Sequence, residues 1–171
     1  MQAERIADAS ALSGSVRGLG VCDALRVELA AGQLPGLVDQ IEAHSAALRD
    51  EIERRRAALM PRDLRGAAQL DEAESELRLI GLLRGELPAA GEAGEPFVVI
   101  GPAGSIGAMV RGATRHAVEA LSELVLATSR LDAGARDRLT CAAAAAAAWA
   151  RTYVQVQAVE DFSFDTERDI E

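Results

Sequence analysis

Residues 139–159 read Leu139-Thr-Cys-Ala142-Ala-Ala-Ala-Ala-Ala-Ala148-Trp149-Ala-Arg-Thr-Tyr-Val-Gln-Val-Gln-Ala-Val159. Alanine has the highest intrinsic helix propensity, and seven in a row present so little bulk that neighbouring helices can approach closely. The stretch after Tyr153 also alternates like a strand. A helix already nucleated on alanines extends more easily than it stops, so the segment reads as helix to about Val159. A long helix with a small-residue face needs other helices to pack on it, which makes this stretch the spine of a helical bundle.

Immediately upstream, Asp132 can cap this fourth helix. Before it, Ile106, Val110, Ala113, Ala117, Ala120, Leu124, Ala127 and Leu131 keep a 4-3 spacing. That spacing predicts a third long helix from Ser105 to about Arg130. Phe97-Val98-Val99-Ile100 is a strand-like tetrad stopped by Gly101-Pro102, and Pro88 to Pro96 is a loop by composition. In the first half, Leu25, Val27 and Leu29 alternate with Arg26 and Glu28 as in a short strand with one wet face. Pro35 suits a first helical position, and Leu34, Val38, Ile41, Leu48, Ile52 and Leu59 carry a helix to about Met60. Pro61 ends it. A second helix runs from about Asp63 to Arg84, with Gly85 as its C-cap and Asp71, Glu72, Glu74 and Glu76 on a face read as solvated. Ile6, Ala9, Leu12 and Val16 suggest a short N-terminal helix weakened by Gly14, Gly18 and Gly20.

An offset of 72 residues aligns 26–59 with 98–131 and matches seven of thirty-four positions. Val27 falls on Val99, Gly32 on Gly104, Val38 on Val110 and His44 on His116. Each half reads as a short strand, an Ala-Gly turn, a long helix bearing a His, and a second helix. The expected fold is therefore mainly α, an antiparallel four-helix bundle of two pseudo-symmetric hairpins, each preceded by a short strand that pairs at one end. One domain covers 1–160, with the N-terminal helix over 1–20, the first hairpin over 21–87, the second over 95–160, and an acidic mobile tail over 161–171.

Composition narrows the function. The chain has 171 residues, a formal charge of −9 and only 3% aromatic residues. It has neither Lys nor Asn, which reads as the codon bias of a GC-rich bacterial genome. Dispersed arginines on an acidic chain argue against nucleic acid or an anionic membrane as partner. Cys22 and Cys141 lie far apart in apolar contexts and read as small buried hydrophobes rather than a disulfide. Neither a signal-peptide pattern nor an apolar run of about 18 residues is present, so the expected location is cytoplasmic.

One turn has the makings of a ligand site. Gly101-Pro-Ala-Gly104-Ser105-Ile-Gly107 lies between a strand and a helix start, where a phosphate could sit on free N–H groups of Gly101, Gly104 and Ser105. Arg111 and Arg115, at i and i+4, and His116 could supply counter-charge. The turn lacks the Lys and Ser/Thr of a P-loop, and Pro102 removes a donor. His44 and His116 have no ligand set around them that matches a di-iron bundle. No catalytic set, metal site or cofactor is assigned. The sequence reads as a non-enzymatic protein–protein interaction module, an adaptor, scaffold or regulatory subunit, binding another chain or itself, with the Phe162-Ser-Phe164 tail as a docking motif. The alternative is a phosphate-ligand binding protein or enzyme using the Gly101–Gly107 turn.

Overall fold

The computed structural model describes residues 3–6, 24–88 and 94–168, with side chains over 24–88 and 94–159. Among these residues the chain is mainly helical, with four α-helices and a small antiparallel sheet. In order these are β1 (Ala3–Ile6), β2 (Ala24–Leu29), a 3-10 turn (Ala31–Gln33), α1 (Leu34–Ala58), α2 (Leu64–Glu86), β3 (Phe97–Pro102), α3 (Ala103–Ala127) and α4 (Ala133–Arg168).

β2 lies in the middle of the sheet, antiparallel to both neighbours. Its alternation carries through: Leu25, Val27 and Leu29 are buried, while Arg26 and Glu28 are half-exposed opposite Ile100 and Val98. Val27 stands directly across from Val99. The helix expected over 1–20 is corrected at 3–6, which form a strand. Pairing with the open edge of β2 satisfies backbone groups that a frayed, glycine-weakened helix would leave to water. The rest of that segment lies outside the described residues.

Local signals set the helix ends. Pro35 occupies the first turn of α1. Asp63 Oδ1 accepts from Gly66 N at 2.8 Å, and Asp132 Oδ1 from Ala135 N at 2.7 Å, so an aspartate caps the second helix of each hairpin. Arg62, in the turn between α1 and α2, takes a left-handed φ of 70°, a conformation that crowds an L side chain. At the far end α4 continues to Arg168, so the tail expected to be mobile over 161–171 is helical through that residue. No helix among the described residues is long and apolar enough to cross a membrane.

The core gathers beneath the inner face of the sheet. Leu25, Val27, Leu29 and Val99 meet Leu37 and Ile41 of α1, Ile80 and Leu83 of α2, Ile106, Met109, Val110 and Ala113 of α3, and Trp149 and Val156 of α4. Each large side chain buried there is worth about 1.5–3 kcal/mol. Trp149 fills the space above Gly36, where an added Cβ would stand 3.2 Å from the indole nitrogen. The core thus occupies the sheet end, made by the first halves of α1 and α3.

Away from the sheet the burial lapses. The α3 seam is buried at Ala113, half-buried at Ala117 and Leu124, and exposed at Ala120 and Ala127, while Leu131, expected on the same seam, lies exposed beyond the end of the helix. Within the alanine run only Ala146 is buried. Ala142 and Ala148 are half-buried, and Ala143, Ala144, Ala145 and Ala147 are exposed. Cys141 is exposed rather than buried, because it falls on the outward side of a helix whose phase Ala146 and Trp149 fix. Cys22 lies outside the described residues.

Candidate functional site

Three elements converge on one carboxylate. His44 is carried by the middle of α1, Glu76 by α2, and Ser105 by the first turn of α3. Ser105 Oγ donates to Glu76 Oε1, and His44 Nε2 lies 3.1 Å from the same oxygen. Ser105 is buried, while His44 and Glu76 keep part of their surface in water. The His44 hydrogen bond, joined by that of Ser105 and the imidazole's charge, holds the Glu76 carboxyl below its ordinary value against a burial effect that would raise it.

The chemistry of this cluster is that of a clasp. A serine nucleophile needs a base to take its proton and a third group to orient that base. Here the hydroxyl and the imidazole both point at the carboxylate, not at each other, and the carboxylate is a weakened base. The cluster ties α1, α2 and α3 together near the sheet. A second tie joins the opposite corner: Gln33 Nε2 donates to Thr152 Oγ1 at 3.0 Å, and Gln33 Oε1 accepts from Ala30 N at 3.0 Å, with the Gln33 and Thr152 side chains both buried.

The turn proposed from sequence is divided by this arrangement. β3 passes directly into α3 without a loop. Gly101 is buried in the strand opposite Leu25, and a Cβ there would stand 3.1 Å from Ile106, so the position serves close packing. Ser105 is engaged with Glu76. Gly104, Arg111 and Arg115 are exposed and share a face of α3 by their spacing of seven and four. His116 is exposed on a different side, about 100° from Arg115. The structure therefore groups Gly104, Arg111 and Arg115 and separates them from Gly101, Ser105 and His116. Among the described residues no three His, Cys, Asp or Glu side chains converge as a metal site.

Sequence reasoning missed Glu76. It sits in the row Asp71, Glu72, Glu74 and Glu76, of which Asp71 and Glu72 are exposed while Glu74 pairs with Arg56 at 2.6 Å. The signal available was position: on a helical hairpin Glu76 falls at the level of His44, on the seam side of its row.

The other candidate surface is the tip of the α3–α4 hairpin. Val125 is 55%, Leu126 86% and Leu131 56% exposed. Leu124, Val125, Leu126 and Ala127 make the last turn of α3 apolar around its circumference, a pattern belonging to helices that are covered on all sides, and Leu131 lies in the connection beyond it. Phe162 and Phe164, also proposed for docking, belong to α4, but their side chains lie outside the described residues. Compared with family models, with curated proteins and with solved structures, the chain matches none.

Proposed function

We propose that this chain is a non-enzymatic protein–protein interaction module, an adaptor, scaffold or regulatory subunit of a cytoplasmic bacterial system, which contacts its partner through the tip of the α3–α4 hairpin. The observation that carries the reading is Leu126, 86% exposed within the apolar run Leu124-Val125-Leu126-Ala127. Contiguous exposed apolar surface marks interaction sites on soluble proteins. The polar groups best placed for chemistry, Ser105, Glu76 and His44, are spent on one another.

The underlying architecture is, in this proposal, a four-helix bundle made from two copies of one strand–helix–helix unit. Two facts support it. Val27 pairs with Val99, its counterpart at the 72-residue offset, while Arg26 pairs with Ile100 and Glu28 with Val98. Around a local twofold axis through the Val27–Val99 pair, each strand residue then meets the counterpart of the residue equally far on the other side. Gln33 and its counterpart Ser105 also both reach to the second helix of the other hairpin, at Thr152 and Glu76.

The test is capture from the native cell by the intact chain and by Leu126→Arg. A partner held by the former and released by the latter is expected; identical capture by both contradicts the reading. A phosphate-ligand site remains the alternative, favoured by the shared exposed face of Gly104, Arg111 and Arg115. A ligand at 100 times its Kd would stabilise the fold by about 2.7 kcal/mol, so a thermal-shift screen of phosphorylated metabolites without a response removes it.

A further inference from the structure

We infer that the tip of the α1–α2 hairpin takes the acidic C-terminal end of α4 from a second copy of this chain. This surface is separate from the α3–α4 tip and does not depend on it.

Charge and apolar surface name the occupant. Residues 54–65, which span the end of α1, the turn and the start of α2, hold five arginines and one aspartate in a chain whose net charge is −9. Arg54 and Arg55 are partnered by Glu51, and Arg56 by Glu74. Arg62 and Arg65 are exposed and take part in no ion pair with any described residue. Beside them Met60 is 70% and Leu64 84% exposed. Guanidinium and apolar surface side by side call for carboxylates and apolar groups together in one short stretch. The chain carries such a stretch: residues 160–171 hold six acids and one arginine, with Phe162 and Phe164 among them. An exposed ion pair alone contributes about 0–1 kcal/mol, so the apolar groups matter as much as the charges.

Geometry places the contact between chains. Trp149 lies over Gly36, and Thr152, three residues further on, meets Gln33, three residues further back. α4 therefore runs antiparallel to α1. At about 1.5 Å per residue, α1 travels about 33 Å from Gly36 to its end at Ala58, while α4 travels about 24 Å from Thr152 to Arg168 in the opposite direction. The arginine tip and the acidic end thus lie at opposite ends of the molecule, too far apart for one chain to join them. Two chains laid antiparallel join them twice, each tip on the other's α4 end, and such an isologous pair closes. A parallel pair would set like charge against like at both ends.

Sedimentation equilibrium of the full chain at about 0.02 M and about 0.5 M salt tests this, because the higher salt screens exposed charges beyond a few ångströms. The intact chain is expected to associate at low salt and at least about tenfold more weakly at high salt. Two charge-reversed chains sharpen the test: Arg62→Glu with Arg65→Glu, and Asp165→Arg with Glu167→Arg. Acids at the start of α2 and arginines at the end of α4 suit the helix dipoles, so both should keep the unfolding midpoint of the intact chain. Each alone should associate at least about tenfold more weakly at low salt. Mixed in equal amounts they should associate as the intact chain does, since each altered end then meets its altered complement. A chain that is monomeric at low salt overturns the inference, even where its arginine tip proves to bind anionic lipid vesicles, as does a mixture no tighter than either variant alone. Leu126→Arg should leave the association unchanged; loss of it there would assign self-association to the α3–α4 tip and overturn this contact, whereas the capture experiment above stands or fails without it.

Discussion

The two helical hairpins solve the same packing problem with opposite chemistry. At the far end of α1–α2 the helices are joined by charge: Arg56 Nη2 meets Glu74 Oε1 at 2.6 Å, Arg55 Nη1 donates to the Gln69 carbonyl at 3.1 Å, and Glu51 holds Arg54 at 2.5 Å and Arg55 at 2.6 Å. α3–α4 relies on small residues, and its hydroxyls turn inward on the helices: Thr114 Oγ1 donates to the Val110 and Trp149 carbonyls, and Ser122 and Thr128 donate to Val118 and Leu124. At the 72-residue offset, the charged Glu53, Arg54 and Arg55 stand where the second hairpin has Val125, Leu126 and Ala127. A solvated tip can stand alone. An apolar one asks for a cover.

One position shows the contrast within the aligned segments, where the 72-residue offset sets His116 on His44. His44 has its carboxylate, whereas His116 is exposed. Among the described residues the clasp therefore stands on the His44 side alone.

Substitutions that test this contrast rank by burial. Trp149→Ala should have the largest effect, about 3–5 kcal/mol of stability by urea unfolding, since it empties the space above Gly36. Leu77→Ala, on α2 and only half-buried, should cost clearly less; equal losses would remove the asymmetry. Ala146→Leu should then cost about 1–3 kcal/mol through overpacking, against less than about 0.5 kcal/mol for the exposed Ala145→Leu.

Glu76→Gln comes next, at about 1 kcal/mol near neutral pH, on the scale of a net hydrogen bond. The sign with pH follows from the lowered carboxyl. Its folded value lies below the ordinary 4.5, so the stabilisation is present above that value and lost as pH falls through the folded one. The gap between intact chain and Glu76→Gln should close in acid. A gap that persists there would mean that shape, not charge, holds the clasp.

Much of this was legible from sequence and the rest failed for identifiable reasons. Pro35, Asp63 and Asp132 mark helix starts by chemistry that acts within one turn, and the alternation of Leu25, Val27 and Leu29 acts within one strand. The phase of the alanine run was not legible from Trp149 alone: Ala145 and Ala146 stand about 40° and about 60° from it round the helix, and only Ala146 of the run is buried. Ala3–Ile6 was not legible, because four residues take their conformation from the edge they pair with and not from their own propensity. Glu76 could not be separated from its acidic neighbours, since its partners lie 32 and 29 residues away on other helices. The lapse of burial along α3 was hidden as well: a heptad says that a face will be covered but not by which chain.

Amide hydrogen exchange of the chain alone and of the chain holding the partner captured from the native cell addresses that point directly, because it reads both tips in one experiment. Protection over 120–131 should rise on capture while protection over 48–59, at the solvated tip of α1–α2, stays the same. Equal and unchanged exchange at both tips would contradict a covered apolar tip.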